Sequence, residues 1–186
     1  MKLNTLRAIA LGTVLSMSAI AGVAYANPDV GGAPMSESKN IIENAVNSKD
    51  HTTLVAAVKA AGLVETLEGK GPFTVFAPTN EAFAALPAGT VDNLLKPENK
   101  AMLVKILTCH VVAAKALSTD VMAMVKADGG SHVVDTVGGC KLTLKVDGGK
   151  VTVTDESGGV ANVTIADVIQ SNGVIHVIDK VLLPKM

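Results

Sequence analysis

The side chains best suited to chemistry in this sequence are two cysteines and four histidines. They are Cys109, Cys140, His51, His110, His132 and His176. A structural zinc site usually needs close ligand pairs such as Cys-x-x-Cys or His-x-x-x-His, and no such pair occurs among these residues. We therefore expect no metal site.

Catalytic motifs are also missing from the sequence. An enzyme needs a nucleophile, a base or a metal held in one cleft, yet there is no Gly-x-Ser-x-Gly elbow and no phosphate-binding glycine loop between a strand and a helix. Asp155 and Glu156 are adjacent, so a strand would point their carboxylates to opposite faces. We predict that the chain is not an enzyme, has no catalytic residues and uses no cofactor.

The composition narrows the classes of partner. Aromatic residues make up only 2% of the chain, as three Phe, one Tyr and no Trp, although 48% of the residues are hydrophobic. Single-stranded nucleic acids and unstacked RNA bases are usually bound by stacking on aromatic side chains. A DNA-binding protein needs a basic surface, whereas the formal net charge here is −1. We therefore expect no nucleic-acid partner.

The first 26 residues have the three parts of a secretory signal peptide. Lys2 and Arg7 supply the positive start, an uncharged apolar run follows from Ala8, and residues 24–26 form an Ala-x-Ala cleavage signature. The alternative is an uncleaved membrane anchor, because the run approaches spanning length. The cleavage site favours the signal peptide, with cleavage after Ala26. The mature form is expected to be periplasmic or secreted and not inserted in a membrane.

The remaining residues predict one α+β domain behind a short leader. Residues 27–38 are rich in Pro, Gly and Ser and predict a flexible leader. The apolar spacing is then mostly helical up to Asp128; strong helix formers over residues 53–61, for example, are followed by the helix stop Gly62. After Gly129 the spacing changes to the alternation of strands. Helices followed by strands indicate an α+β domain over residues 39–186.

The two cysteines have a role in this arrangement. Export would place Cys109 and Cys140 in an oxidising compartment, where a cysteine pair is a disulfide candidate. Cys109 follows a predicted helix and Cys140 begins a predicted hairpin, so both lie next to strands that could be neighbours. We predict a disulfide between them.

Three segments together resemble the fasciclin domain. They are residues 73–83 (FTVFAPTNEAF), residues 110–112 (HVV) and residues 172–184 (NGVIHVIDKVLLP). The resemblance covers about residues 40–184, and the family includes secreted and surface-anchored adhesion proteins. It implies a single domain built as a wedge-like β-sandwich with helices packed along one side.

The resemblance also implies roles for individual residues. Ten positions match the structural motifs of the family and are expected to build the core: Thr74, Phe76, Pro78, Thr79, Asn80, Phe83, Asn172, Gly173, His176 and Pro184. Adhesion in animal members has been attached to two other places. One corresponds to Asp167 and Val168, where the animal pattern usually has Asp-Ile. The other corresponds to His110, where Cys109 replaces the usual Tyr. The alternatives are a buried, hydrogen-bonded His110 and a solvated carboxylate at a strand end for Asp167.

These observations predict an exported protein that acts by binding. Its expected function is cell adhesion or another cell-surface interaction, with an extracellular or surface protein or glycan as the partner and Asp167, Val168 and His110 as candidate binding residues. We expect a monomer or a weak homo-oligomer. The alternative is a periplasmic carrier that holds a small apolar ligand between the helices and the sandwich.

Overall fold

The computed structural model describes residues 27–185 of the chain. The predicted signal peptide over residues 1–26, with its cleavage site after Ala26, lies outside the described residues. Within residues 27–185, no helix is long and apolar enough to cross a membrane.

Helices prevail in the first part of the described chain and strands in the second, which confirms the predicted α+β class. The helices are α1 (Ile41–Ala45), α2 (Thr52–Ala61), α3 (Val64–Glu68), α4 (Asn80–Ala84), α5 (Thr90–Leu94), α6 (Lys100–Thr108) and α7 (Ser118–Ala127). The strands are β1 (Asp29–Val30), β2 (Ala33–Pro34), β3 (Phe73–Pro78), β4 (Val111–Val112), β5 (Ser131–Asp135), β6 (Lys141–Asp147), β7 (Lys150–Thr154), β8 (Val160–Gln170) and β9 (Gly173–Ile178). A 3₁₀ turn over Lys49–His51 precedes α2.

Local sequence signals account for two helix ends. Asn40 begins α1 with a capping box, in which the Glu43 N–H donates to Asn40 Oδ1 (2.9 Å) and the Asn40 N–H donates to Glu43 Oε2 (2.8 Å). Helix α2 ends at Gly62, whose φ of 74° is left-handed backbone that glycine adopts without a Cβ penalty. The predicted helix and its stop at Gly62 are therefore confirmed.

One seven-stranded sheet runs through the domain in the order β4-β3-β9-β8-β7-β6-β5. Strands β3 and β9 are parallel, and the other neighbours are antiparallel. The long strand β8 pairs with β7 through residues 160–162 and with β9 through residues 163–170, with two register shifts in the second part. Register shifts of this kind bend a strand. The bent strand β8 belongs to both halves of the sandwich, which are therefore parts of one continuous sheet.

Two hydrophobic clusters lie on opposite faces of the central strands. In β3, Val75 and Ala77 belong to the cluster that includes the helices α1 to α6, whereas Phe76 belongs to the cluster formed with α7, β6, β7 and β8. Strand β9 repeats this alternation in register with β3. Successive side chains of a strand point to opposite faces, so β3 and β9 form the shared wall of both cores.

The segment over residues 27–38 differs from the predicted flexible leader. It forms the hairpin β1–β2 around Gly31 and Gly32, whose φ values are 61° and 72°. Val30 and Met35 are buried in the helix-side cluster. These apolar side chains and the backbone contacts around them hold the segment on the domain, although its overall composition is typical of a mobile one.

Cys109 and Cys140 are joined by a disulfide, as predicted. Cys109 directly follows α6, and Cys140 directly precedes β6. Both residues are almost completely buried. The bond therefore fixes the end of α6 to the start of β6.

Candidate binding site

The polar residues of the first motif hold the segments at either end of β3. Thr74 Oγ1 donates to the carbonyl of Ala114 (2.6 Å) and accepts from the N–H of Ala116 (2.9 Å). After β3, the side chain of Thr79 accepts from the N–H of the third residue of α4 (3.3 Å). The Asn80 side chain donates to the Lys49 carbonyl (2.8 Å) and accepts from the first turn of α2. These contacts are structural, because they satisfy backbone groups at chain turns.

The apolar members of the motifs are packed in the interior. Phe76 and Phe83 are buried in the two hydrophobic clusters. Pro78 at the end of β3 and Pro184 near the end of the described chain are also buried. The surface that these side chains offer to a partner is therefore small.

Asn172 joins three parts of the fold through one side chain. Its Oδ1 accepts from the Ile41 N–H at the start of α1 (3.1 Å), and its Nδ2 donates to two carbonyls at the end of α3 (2.7 and 2.8 Å). Gly173 follows where the backbone approaches β3, and a Cβ there would lie 2.1 Å from the Phe73 carbonyl oxygen. An asparagine amide and a glycine are therefore required side by side at this crossing.

His176 is a buried, neutral histidine with both ring nitrogens in use. Nδ1 accepts from the Asp167 N–H (3.2 Å), so Nε2 carries the proton and donates to the Ala116 carbonyl (2.8 Å). The ring stacks on Phe76 with the centroids 5.8 Å apart. Burial lowers the pKa of His176, while the bond to Ala116 opposes this shift. The ring thus ties β9 to β8 and to the segment before α7.

Asp167 lies in the irregular part of β8 and has an unusual backbone. Its φ is 59°, and it is the one non-glycine residue among residues 27–185 with a positive φ. The half-buried carboxylate accepts from the Ser118 N–H (2.6 Å) and from the Ser118 hydroxyl. It therefore caps the first turn of α7. Its neighbour Val168 is buried in the helix-side cluster.

His110 is likewise buried and neutral, with the opposite tautomer. Nδ1 donates to the Ile106 carbonyl (2.8 Å), and Nε2 accepts from the Leu182 N–H (2.9 Å). Burial lowers the pKa of His110 to about 4. Of the predicted binding residues, His110 and Val168 line one apolar cavity between helices and sheet, whereas Asp167 directs its carboxylate to Ser118.

The adjacent acidic residues Asp155 and Glu156 bond backbone groups that are distant in the chain. Asp155 accepts from the N–H groups of its own turn and, through Oδ2, from the Leu183 N–H (2.9 Å). Glu156 accepts from the Lys185 N–H (3.2 Å). Together with His110 they bind the backbone of residues 182–185, and we call these three side chains the C-terminal clamp. The Asp-x-Ser turn pattern indicates the local bonds, but no sequence signal indicates the distant ones.

The described residues contain no group of three or more His, Cys, Asp or Glu side chains that could hold a metal ion. His132 is instead paired with Asp128 at the surface (2.6 Å). Most of the polar motif side chains described above bond backbone groups of the domain itself.

The sequence and the fold both match known proteins. The sequence model of the Fasciclin domain covers residues 49–184. The chain belongs to the fasciclin domain family. Protein sll1483 of Synechocystis sp. is 48% identical over 187 residues, which cover 93% of this chain and 97% of that protein.

Some fasciclin relatives are longer than this chain. The pig transforming growth factor-beta-induced protein ig-h3 is 41% identical over 131 residues, which cover 70% of this chain but 17% of ig-h3. Among solved structures, a FAS1 domain pair from the insect cell adhesion molecule Fasciclin I matches with a TM-score of 0.71 and 19% identity, covering 82% of this chain and 52% of that one. This likeness confirms the fasciclin fold that the sequence motifs predicted.

Proposed function

We propose that this fasciclin-domain protein is exported and acts without catalysis, by binding a surface or extracellular protein or glycan in cell adhesion. The observation that carries the proposal is the shared fold with the insect cell adhesion molecule Fasciclin I. Membership of the fasciclin family over residues 49–184 supports it. The composition argues against a nucleic-acid partner, because aromatic residues make up 2% of the chain and the formal net charge is −1.

Asp167 is the residue that we propose for recognition. It lies at a register shift, where β8 leaves the regular ladder with β9, and its side chain is half-buried rather than enclosed. Irregular strand segments are common at functional sites because they redirect side chains. The two bonds from Ser118 use one lone pair on each carboxylate oxygen, so the remaining lone pairs can accept from a partner.

A charge-removing substitution separates recognition from folding. Asp167→Asn keeps an oxygen acceptor for the Ser118 N–H, and asparagine tolerates the left-handed backbone at this position. The matched control is Asp179→Asn, since Asp179 is also half-buried and its carboxylate accepts two bonds from Asn162, each 2.7 Å long.

The experiment measures attachment in the native host. A gene-deletion strain should lose surface attachment or aggregation, and added protein comprising residues 27–186 should restore it. We expect the Asp179→Asn protein to restore attachment and the folded Asp167→Asn protein to restore much less. Full restoration by Asp167→Asn would remove Asp167 from the site, and unchanged attachment of the deletion strain would refute the adhesive function.

A further inference from the structure

An apolar cavity lies between the helical layer and the sheet. Its volume is about 60 Å³, and its wall includes Val58 of α2, Val75 and Ala77 of β3, and Ile175 of β9. It is several times larger than the roughly 10–15 Å³ that one water requires. The interior of a protein is normally close-packed, with few voids larger than a water molecule, so this space is a distinct feature of the fold.

One polar atom of a histidine in the wall has no hydrogen-bond partner. His51 is buried, and its Nδ1 is 2.9 Å from the Ser48 hydroxyl. Its Nε2 is the one buried side-chain nitrogen or oxygen in residues 27–185 without a hydrogen bond. The Ala77 carbonyl is near enough to raise the pKa of His51, but its contact with the ring falls short of a hydrogen bond. An unsatisfied buried polar atom is costly, and a ligand atom that bonded to Nε2 would remove that cost.

The chemistry of the wall limits the occupant to a neutral molecule. No Asp, Glu, Lys or Arg among the described residues lines the cavity, and a buried charge without a partner is strongly disfavoured. Burial also lowers the pKa of His51, which favours the neutral ring at physiological pH. A stable water is disfavoured as well, because a buried water needs two to four polar partners.

The N-terminal hairpin β1–β2 helps to close the space. Val30 and Met35 contribute to the wall. The hairpin is held by the Lys49 N–H, which donates to the Gly31 carbonyl (3.3 Å), and the adjoining Ser36 backbone bonds the Asn44 side chain in both directions (2.7 and 3.0 Å). The hairpin is thus attached to the rest of the domain through a few hydrogen bonds next to His51.

We propose that this cavity is a binding site for a small neutral molecule that has a compact apolar body and one hydrogen-bonding oxygen placed against His51 Nε2. The hairpin is the part of the wall that opens for entry and for larger ligands of this class. This site is separate from Asp167 and does not depend on the proposed adhesive function. It gives the carrier hypothesis from the sequence a defined location and anchor.

The test compares two probes of equal size. 2-Propanol and isobutane differ in that a hydroxyl replaces a methyl, and an alcohol can donate to or accept from either tautomer of His51. NMR titrations of the protein comprising residues 27–186 should give saturable shifts of the Val58 and Ile175 methyl groups with both probes. The ¹⁵N signal of His51 Nε2 should shift with 2-propanol and stay in place with isobutane.

Substitutions then test the anchor and the space separately. In His51→Leu, the affinity for 2-propanol relative to isobutane should fall about tenfold, the factor typical of one hydrogen bond. His132→Leu, at the partly exposed ring, is the matched control and should leave that ratio unchanged. Ala77→Val adds two methyl groups inside the wall and should lower the affinity for both probes by about tenfold. The variant should keep the fold, since valine suits a strand.

The outcomes decide the proposal in either direction. Absence of saturable shifts at the Val58 and Ile175 methyl groups would overturn the site. An unchanged probe ratio in folded His51→Leu would overturn the anchor. If that variant does not fold, the His51 Nε2 signal of the wild-type protein decides, because equal responses to the two probes would exclude the hydrogen bond.

Discussion

Lowering the pH should destabilise the domain through His110. The pKa of this ring is 6.5 in its ordinary state and about 4 in the folded protein because the ring is buried. Between these values the unfolded chain binds more protons than the folded one. The stabilisation is therefore complete above pH 6.5 and is lost as the pH falls towards 4. Over the full window it amounts to about 3 kcal/mol, of which about 2 kcal/mol is lost between pH 7 and pH 5.

The structure gives a physical reason for this loss. A protonated His110 carries a hydrogen on Nε2, which then faces the Leu182 N–H that it accepts from when neutral. One contact of the C-terminal clamp is thereby replaced by two opposed donors. The pKa values of His51 and His176 are also lowered by burial, so the whole protein loses more stability than His110 alone predicts.

Urea unfolding at pH 7 and pH 5 isolates the His110 contribution. Far-UV circular dichroism is the suitable signal, because the chain has no Trp and its single Tyr lies in the first 26 residues. His110→Gln retains a donor and an acceptor but does not titrate. We expect its loss of stability between the two pH values to be about 2 kcal/mol smaller than that of the wild type.

A control and a refuting result complete the design. His132→Gln removes the partly exposed histidine that pairs with Asp128 and is the matched control against which the smaller loss in His110→Gln is compared. Equal losses for the wild type and His110→Gln would show that the buried ring does not control acid stability, and the reasoning from its hydrogen bonds would then be wrong.

Three further variants test other contacts. Replacing Cys109 and Cys140 by Ala should lower the free energy of unfolding by about 3–4 kcal/mol at most, because the bond closes a long loop; intact-mass analysis after alkylation checks that the wild type has no free thiol. Asn172→Ala leaves three backbone groups without their partner and should cost about 2–4 kcal/mol in urea unfolding. Gly173→Ala places a Cβ against the Phe73 carbonyl and should cost about 3 kcal/mol in the same assay; a stable variant would contradict the close approach.

Local patterns in the sequence predict the elements better than their pairing. The helix up to Gly62 and the change to strands after Gly129 follow from local sequence signals, and both are present. The parallel contact of β3 with β9 joins segments about 100 residues apart in the chain. No periodicity in the sequence predicts that contact.

The functional residues show the same contrast between local signals, which the sequence reveals, and distant contacts, which it does not. The family motifs identified His176 as a core residue. Nothing in the sequence indicated that Asp155 bonds Leu183, or that Asn44 donates to Gln170 across the fold. The cavity is also invisible in the sequence, because its wall is collected from separate helices and strands. The hairpin over residues 29–34 was missed because glycine and proline content outweighed two apolar side chains.

The position of β9 has a consequence for the proposed export of the chain. It is the last strand of the domain in chain order, yet it lies between β3 and β8 in the middle of the sheet. A chain that crosses a membrane from its N-terminus delivers β9 after every other strand. Until then β3 and β8 lack the strand that joins them, and the two halves of the sheet stay apart. In the export that we propose, such a domain would stay threadable during translocation and would close its fold only on the far side.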